Sequence, residues 1–418
     1  MLTTSPRGTN DVLPENSPKW LYLENTLRRA AANAGFCELR TPTFEHTELF
    51  ARGVGDTTDV VQKEMYTFLD KGDRSITLRP EGTAGAVRSF IENGLFNAPA
   101  PVKLYYILSC FRYEKPQAGR LREFHQFGVE CFGSDKPAAD AEIISFAASL
   151  FDLFGCADAM SLRINSIGCA TCRAAYNSAL KSYFGAHKDE LCPTCLDRLE
   201  RNPMRIIDCK SPVCSSLAKD APHITDYLCG DCQSHFDALQ KRLTALGIPF
   251  TVDPTIVRGL DYYNRTVFEF VTDRIGAQAT VLGGGRYDPL VRSLGGPDTP
   301  ALGFAMGLER LLLLLENMDL LGDAAPAPVK LYLGSVGDEA SAKAQQIVAD
   351  LRARGIKCEC DVCERSVKAQ MKYANKLGAK FTAILGDDEL KSKTVTLKNM
   401  EDGSSVLLTL DALTEGEF

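Results

Sequence analysis

The 418-residue chain has no apolar run long enough to cross a membrane. Its densest stretch, the five leucines Leu311 to Leu315, falls far short of the ~20 residues that a bilayer core requires. The opening residues Met1-Leu2-Thr3-Thr4-Ser5-Pro6 lack the basic and apolar regions of a secretory signal, so the cytoplasm is the expected location. Positive charge is not in excess. A net charge of -7 disfavours a protein that coats nucleic acid by bulk electrostatics but leaves a local basic face open. No segment repeats in tandem, which excludes a solenoid. What remains has 45% hydrophobic and 24% charged residues, the balance of a soluble globular enzyme. Its length exceeds what one core usually serves, so two or more domains are expected.

The periodicity predicts a helix over Pro18 to Asn33, with Trp20, Leu21, Leu23, Leu27, Ala30 and Ala31 as its apolar stripe and Gly35 ending it. A strand, Glu38 to Pro42, follows. Val102 to Tyr113, Ser161 to Ile167, Phe250 to Val257 and Thr266 to Val271 are further predicted strands, rich in β-formers. Their long, uneven connections point to a mainly antiparallel sheet packed with helices, an α+β architecture. Residues 168–247 read as a cysteine-rich, mainly helical insertion. Gly322 to Pro328 has a linker's composition. Beyond it, Val329 to Gly334, Glu339 to Arg354, Lys357 to Val362, Ser366 to Leu377 and Phe381 to Leu385 alternate as β-α-β-α-β, a small α/β domain. The expected division is therefore 1–325 and 326–418.

Chemistry concentrates at a few places. Arg258-Gly-Leu-Asp-Tyr-Tyr sets an arginine, a carboxylate and two tyrosines before the strand at Thr266. Gly259 permits a tight turn. If extended, Tyr262 and Tyr263 point to opposite faces, so only one lines a given pocket. Glu81 and Thr83 sit in a Pro-Glu-Gly-Thr turn, while Gln126 and Glu130, four apart in a strand, share a face. Arg112 ends a strand and opens a loop with Glu114, Arg120, Arg122 and Glu123; Arg310 follows Gly307 at the head of an apolar helix. The cluster Gly283-Gly284-Gly285-Arg286-Tyr287-Asp288 does not fit the Walker pattern. Such arginines suit phosphate groups, and such carboxylates and amides suit an ammonium group.

Leu78-Arg79-Pro80-Glu81-Gly82-Thr83, Phe111-Arg112-Tyr113-Glu114 and Gly303 to Arg310 occur in the order of the class II aminoacyl-tRNA synthetase motifs. With Arg258 to Tyr263 added, the chain resembles the histidyl-tRNA synthetase family, from Pro6-Arg7-Gly8-Thr9 almost to its C-terminus. The resemblance implies a class II antiparallel sheet, a C-terminal anticodon-binding domain, a homodimer built on the first helix and strand, and the substrates L-histidine, ATP with Mg2+, and tRNA(His). It also implies roles. Arg112 grips the α-phosphate and Arg258 supplies positive charge there; Glu114 lies in the loop that covers ATP, and Arg310 holds the γ-phosphate end. Glu81, Thr83 and Gln126 hold the α-amino group, and Glu130 with Tyr263 meets the imidazole, Tyr262 standing beside them. Gln126 is a candidate for the aminoacyl-transfer proton, and Arg122 for contact with the tRNA acceptor end. The glycine cluster floors the histidine pocket.

Two features stand apart. Cys169-x2-Cys172, Cys192-x2-Cys195 and Cys229-x2-Cys232, with Cys209 and Cys214, give eight thiols, the number for two tetrahedral zinc sites whose pairing spacing alone leaves open. Cys358, Cys360 and Cys363 read as packing residues. In the C-terminal domain Arg365, Lys368, Lys372 and Lys376 recur at three- and four-residue steps as a stripe, a candidate RNA-backbone surface. The rival to an enzyme is the synthetase-like regulatory subunit of ATP phosphoribosyltransferase. That paralogue typically lacks the C-terminal domain and departs from the motifs, whereas Glu81, Arg112, Arg258, Tyr263 and Arg310 are in place here.

Overall fold

The computed structural model describes residues 3–55, 58, 60–276, 280–322 and 328–418. The chain divides into two compact units, Met1–Ala324 and Ala325–Phe418. The expected boundary and most of the expected linker, residues 323–327, lie outside the described residues.

The first unit is built on an eight-stranded sheet. In spatial order its strands are Cys37–Glu38, Val102–Phe111, Glu123–Phe132, Ala301–Gly307, Thr280–Arg286, Asn264–Val271, Ser161–Ser166 and Thr251–Val252. The central pairings are antiparallel and only the two edge pairings are parallel. Helices Ser17–Asn33, Pro137–Leu153 and Leu308–Asn317 cover one face, where Leu27, Ile144, Phe127, Phe304 and Leu311 are buried in a common core. The first helix matches its predicted stripe through Leu23, Leu27, Ala30 and Ala31, while Leu21 is exposed.

Both edge strands are shorter than predicted. Only Cys37 and Glu38 pair at one edge, before Pro42 turns the chain away. At the other edge Thr251 and Val252 pair, and Pro254, which has no N–H to give a ladder, ends the strand well short of Val257. Residues 168–247 are helical as expected, with Ala170–Ala186, Pro193–Arg201, Met204–Ile207, Pro212–Lys219 and Gly230–Ala245. A buried arginine ties this segment to the sheet: Arg286 pairs with Asp140 at 2.6 Å, and His235 of the last insertion helix lies 3.3 Å from the same carboxylate.

The second unit has a five-stranded sheet in the order Cys358–Cys360, Leu331–Ser335, Phe381–Leu385, Thr394–Asn399 and Ser405–Thr409. The first three strands are parallel and carry the predicted β-α-β-α-β pattern. The antiparallel hairpin 394–409 is an addition that the sequence pattern did not suggest. Cys358 is buried as a packing residue, but Cys363 is exposed. Among the described residues no helix is long and apolar enough to cross a membrane.

Candidate active site

Close backbone approach at the centre of the sheet creates the site. Gly283 pairs with Glu269 on the neighbouring strand, and a Cβ on Gly283 would collide with the Arg258 guanidinium lying above it. Arg258 pairs with the Glu269 carboxylate, whose other oxygen accepts from the Thr280 hydroxyl at 2.9 Å. Burial works against the charge of Arg258, but Glu269 and the neighbouring tyrosines outweigh it and raise its pKa further. Its Nε is buried and finds no acceptor among the described residues.

Two cavities meet at Arg258. The larger, about 380 Å³, has Arg112, Arg258 and Arg310 in its wall with Glu114 and Glu269. The smaller, about 150 Å³, is lined by Glu81, Thr83, Gln126 and the tyrosines Tyr262, Tyr263 and Tyr287. Arg112, Gln126, Arg258 and Gly283 belong to both walls.

The cationic cavity is held rigidly. Arg112 Nε donates to the Pro80 carbonyl at 2.8 Å, and its guanidinium lies 5.4 Å from the Phe124 ring centre. Glu114 pairs with Arg120 at 2.6 Å. Arg310, three residues into its helix, turns inward to donate to the Thr280 carbonyl. Burial, helped by the like charge of Arg120, pulls the Arg310 pKa down. Arg122 does not line this cavity. It donates to the Glu114 carbonyl at 3.1 Å and stacks on Tyr113, and its backbone N–H bonds the Gly8 carbonyl at 2.7 Å.

The smaller cavity is acidic and phenolic. Glu81 accepts from the backbone N–H groups of Thr83 and Ala84 at 2.7 and 2.9 Å, so it also satisfies the first turn of helix Thr83–Glu92. Burial raises its pKa despite those bonds. Gln126 accepts from the Cys110 thiol at 3.3 Å. Glu130, on the same strand face, is buried behind this wall rather than in it, and accepts from Tyr106 at 2.9 Å and from Tyr287. Burial pushes its carboxyl up to about 8. Tyr262 and Tyr263 do not take opposite faces. Asp261 and Tyr262 form a turn before the strand begins at Asn264, so the two rings lie 4.6 Å apart and both line the cavity.

Glu269 and Tyr106 have no role in the sequence reading, and Tyr287 enters it only as a member of the glycine cluster. Glycine spacing carried a signal for one of them: Gly128 lies opposite Tyr106, and a Cβ there would strike its ring. The insertion also reaches the larger cavity, through Asp208 and Lys210.

The eight cysteines sort into two groups, Cys169, Cys172, Cys229 and Cys232, and Cys192, Cys195, Cys209 and Cys214, with the sulphurs of each group within 4.8 Å of one another. Backbone N–H groups at the Cys172 turn, more than burial opposes, bring the Cys169 thiol down to about 6. At Cys192 burial opposes such donors, and they still hold the thiol at about 7. In the second unit Lys368, Lys372 and Lys376 are exposed on helix Val367–Lys376. Arg365 departs from that stripe: it precedes the helix, pairs with Asp361 at 2.7 Å and stacks on Tyr373.

Comparison with known proteins agrees with this geometry. A histidyl-tRNA synthetase family profile matches residues 8–175 and 216–311, and an anticodon-binding domain profile matches 330–416. The histidine–tRNA ligase of Acetivibrio thermocellus is 54% identical over 413 residues, 99% of each chain. That of Clostridioides difficile is 53% identical over 416 residues, again 99% of each. Apo histidyl-tRNA synthetase of S. aureus superposes with a TM-score of 0.84 at 42% identity, covering 99% of both chains. The chain belongs to the histidyl-tRNA synthetase family.

Proposed function

We propose that the larger cavity takes ATP, that the smaller takes L-histidine, and that Arg258 brings the two reacting groups together at the shared wall. The chain is a ligase that activates histidine with ATP and transfers it to tRNA. In the first step a histidine carboxylate oxygen bonds to the α-phosphorus as the bond to the β-phosphate bridge breaks, releasing diphosphate. In the second, the tRNA 3′-terminal hydroxyl attacks the activated carbonyl and AMP leaves. Class II synthetases use ATP with Mg2+, the ion entering on the outer phosphates as part of the substrate.

The observation that carries the assignment is the buried, partnerless Nε of Arg258 in a wall common to both cavities. An α-phosphate or carboxylate oxygen supplies the acceptor it lacks, and a charged donor of this kind acts most strongly in the transition state. Arg112 faces the same α-phosphate, and Arg310 the γ-phosphate end, with Glu114 fixing the loop over the nucleotide through Arg120. Glu81, Thr83 and Gln126 receive the ammonium group. Glu130 and Tyr263 satisfy the imidazole, and Tyr262 closes the pocket beside them. A pocket built to pair two ring nitrogens rejects side chains that lack them. Gln126 or the substrate phosphate takes the transfer proton. Histidine-dependent exchange of labelled diphosphate into ATP tests the reading: no exchange above the histidine-free control refutes it.

The profile match over 330–416 and the exposed lysines favour residues 326–418 as the tRNA anticodon-binding domain, with 1–325 catalytic and Arg122 near the acceptor end. A cytoplasmic homodimer fits the family, and the exposed Phe44, Phe68 and Leu69 on the three-stranded sheet of Phe44–His46, Ser75–Leu78 and Thr67–Leu69 are suited to subunit contact. Sedimentation at micromolar concentration checks the dimer. Each cysteine group holds a structural zinc ion. Tetrahedral Zn–S bonds of about 2.3 Å place sulphurs about 3.8 Å apart. Cys169 Sγ lies 3.6 Å from Cys172 Sγ and 3.9 Å from Cys229 Sγ, and Cys192 Sγ lies 3.9 Å from Cys209 Sγ, too long for disulfides at about 2.05 Å.

A further inference from the structure

Beyond their own stability, the two cysteine groups have a common neighbour. The segment Arg258 to Tyr263 has no regular secondary structure, yet it carries the arginine and both tyrosines of the site. Backbone of this kind is the part of a fold that opens most readily. Both ends of it are gripped by arginines of the insertion. Arg205 is buried and donates through Nη1 to the Arg258 carbonyl at 2.9 Å. Arg173 donates through Nη1 to the Tyr263 carbonyl at 3.2 Å. Between them Asn202 Nδ2 donates to Asp261 Oδ1 at 3.3 Å.

Each of these arginines is tethered by one cysteine group. Arg173 follows Cys172 directly, and its backbone N–H bonds the Cys169 carbonyl at 2.9 Å. Arg205 and Asn202 lie in the strap between Cys195 and Cys209, which runs from helix Pro193–Arg201 through the short turn Met204–Ile207. The strap packs Leu199, Met204 and Ile206 into the same core as Tyr262 and Tyr263. Sulphur contacts close it at the base: Cys192 Sγ lies 3.9 Å from Cys209 Sγ, and the Cys192 N–H bonds Cys214 Sγ at 3.3 Å. Arg198 braces the strap from within by donating to the Arg205 carbonyl at 3.1 Å.

We infer that the two cysteine groups are metal clasps that hold Arg173 and Arg205 on the two ends of the Arg258–Tyr263 segment, so that zinc in the insertion fixes the aim of the catalytic arginine. This rests on the zinc reading above. Arg173 and Arg205 are positioning residues: they touch backbone carbonyls, not substrate. A loosened segment lowers the fraction of chains with Arg258 in place, which reduces turnover more than substrate affinity.

The test uses the full-length protein, with zinc content read by atomic absorption and rates by histidine-dependent exchange. Wild type is expected to carry about two zinc ions per chain, one per group. Arg205→Met and Arg173→Met are expected to keep both, with kcat lowered about tenfold each, the loss of one charge-assisted hydrogen bond, and KM for ATP within about twofold; Arg173→Met, which frees the Tyr263 end, should also raise the KM for histidine. Arg205→Lys, which keeps a cationic donor, restores most of the rate. Cys214→Ser is expected to lose about one zinc and to match Arg205→Met, and the double variant to be no slower than either, because both act through one contact. Normal kcat in both zinc-loaded arginine variants overturns the clasp and leaves the zinc reading intact. A wild-type chain purified without metal overturns the zinc reading and the clasp with it. Multiplying losses in the double variant overturn the link between metal and Arg205. The arginine variants decide the question even where Cys214→Ser fails to fold.

Discussion

Replacing Arg258 with methionine separates its two jobs, which the structure places on opposite sides of one side chain. Toward the cavity its proposed job is that of a charged donor to the transferring phosphorus; loss of one such donor costs about 3–4 kcal/mol, or about 10²- to 10³-fold in kcat. Toward the sheet it neutralises Glu269. That pair is about one-fifth exposed, with side-chain accessibilities of 19% and 20%. Its loss therefore falls between the near-zero cost of a surface pair and the several kcal/mol of a fully buried one, about 2 kcal/mol of stability. Adding Glu269→Gln removes the stranded carboxylate and should return part of that stability without returning any rate. Diphosphate exchange measures the first effect and urea unfolding the second. Exchange within a few-fold of wild type in Arg258→Met refutes the catalytic assignment. A double variant less stable than the single one refutes the account of Glu269.

Glu130→Gln should raise the KM for histidine and leave that for ATP nearly unchanged; equal shifts in both place Glu130 outside the imidazole pocket. The same residue gives stability a pH dependence. Its carboxyl ordinarily titrates near 4.5 and is pushed up to about 8 by burial, so the fold favours the neutral form. Its contribution is complete below about 4.5 and is lost as pH rises through about 8. Urea midpoints of wild type should therefore fall between those values, and Glu130→Gln should flatten the curve; parallel curves refute the shift. Reversing the charge of Lys368, Lys372 and Lys376 should weaken tRNA binding, with a shallower salt dependence, while exchange stays normal. Unchanged tRNA affinity at low salt makes that stripe a solvated face.

Much of the architecture was legible because local signals agreed with the final packing. The first helix shows its buried stripe through Leu23, Leu27, Ala30 and Ala31, and the strands Val102–Phe111 and Asn264–Val271 are rich in β-formers. The edge strands were overread because β-forming composition persists past the point where a partner exists: Val257 is β-branched, but Pro254 has already removed the ladder. The first strand of the hairpin 394–409 does alternate, with Val395 and Leu397 buried, but in the second the exposed Val406 and Leu407 blur the pattern that marks a half-buried strand.

The site was legible only in part, and the division has a physical cause. Arg112, Arg258 and Arg310 stand beside glycines or strand ends, positions where the chain itself advertises an inward charge. Their partners are set by cross-strand register, which no local pattern contains. Glu269 meets Arg258 because it pairs with Gly283, the residue whose missing side chain lets the arginine lie there. Tyr106 reaches Glu130 because Gly128, opposite it, leaves room for the ring to lean two residues along the strand. Cysteine pairing followed the same rule: the group 192–214 is nested inside the group 169–232, a choice made by helix packing among equivalent spacings. Arg365, drawn into the stripe by its spacing, is bound instead by Asp361 four residues before it. In the proposed site the glycines opposite Arg258, Tyr106 and Glu130 therefore matter to substrate selection as much as the charged groups do. A methyl group at Gly283, Gly128 or Gly303 would displace Arg258, Tyr106 or Glu130 without altering any of their own atoms.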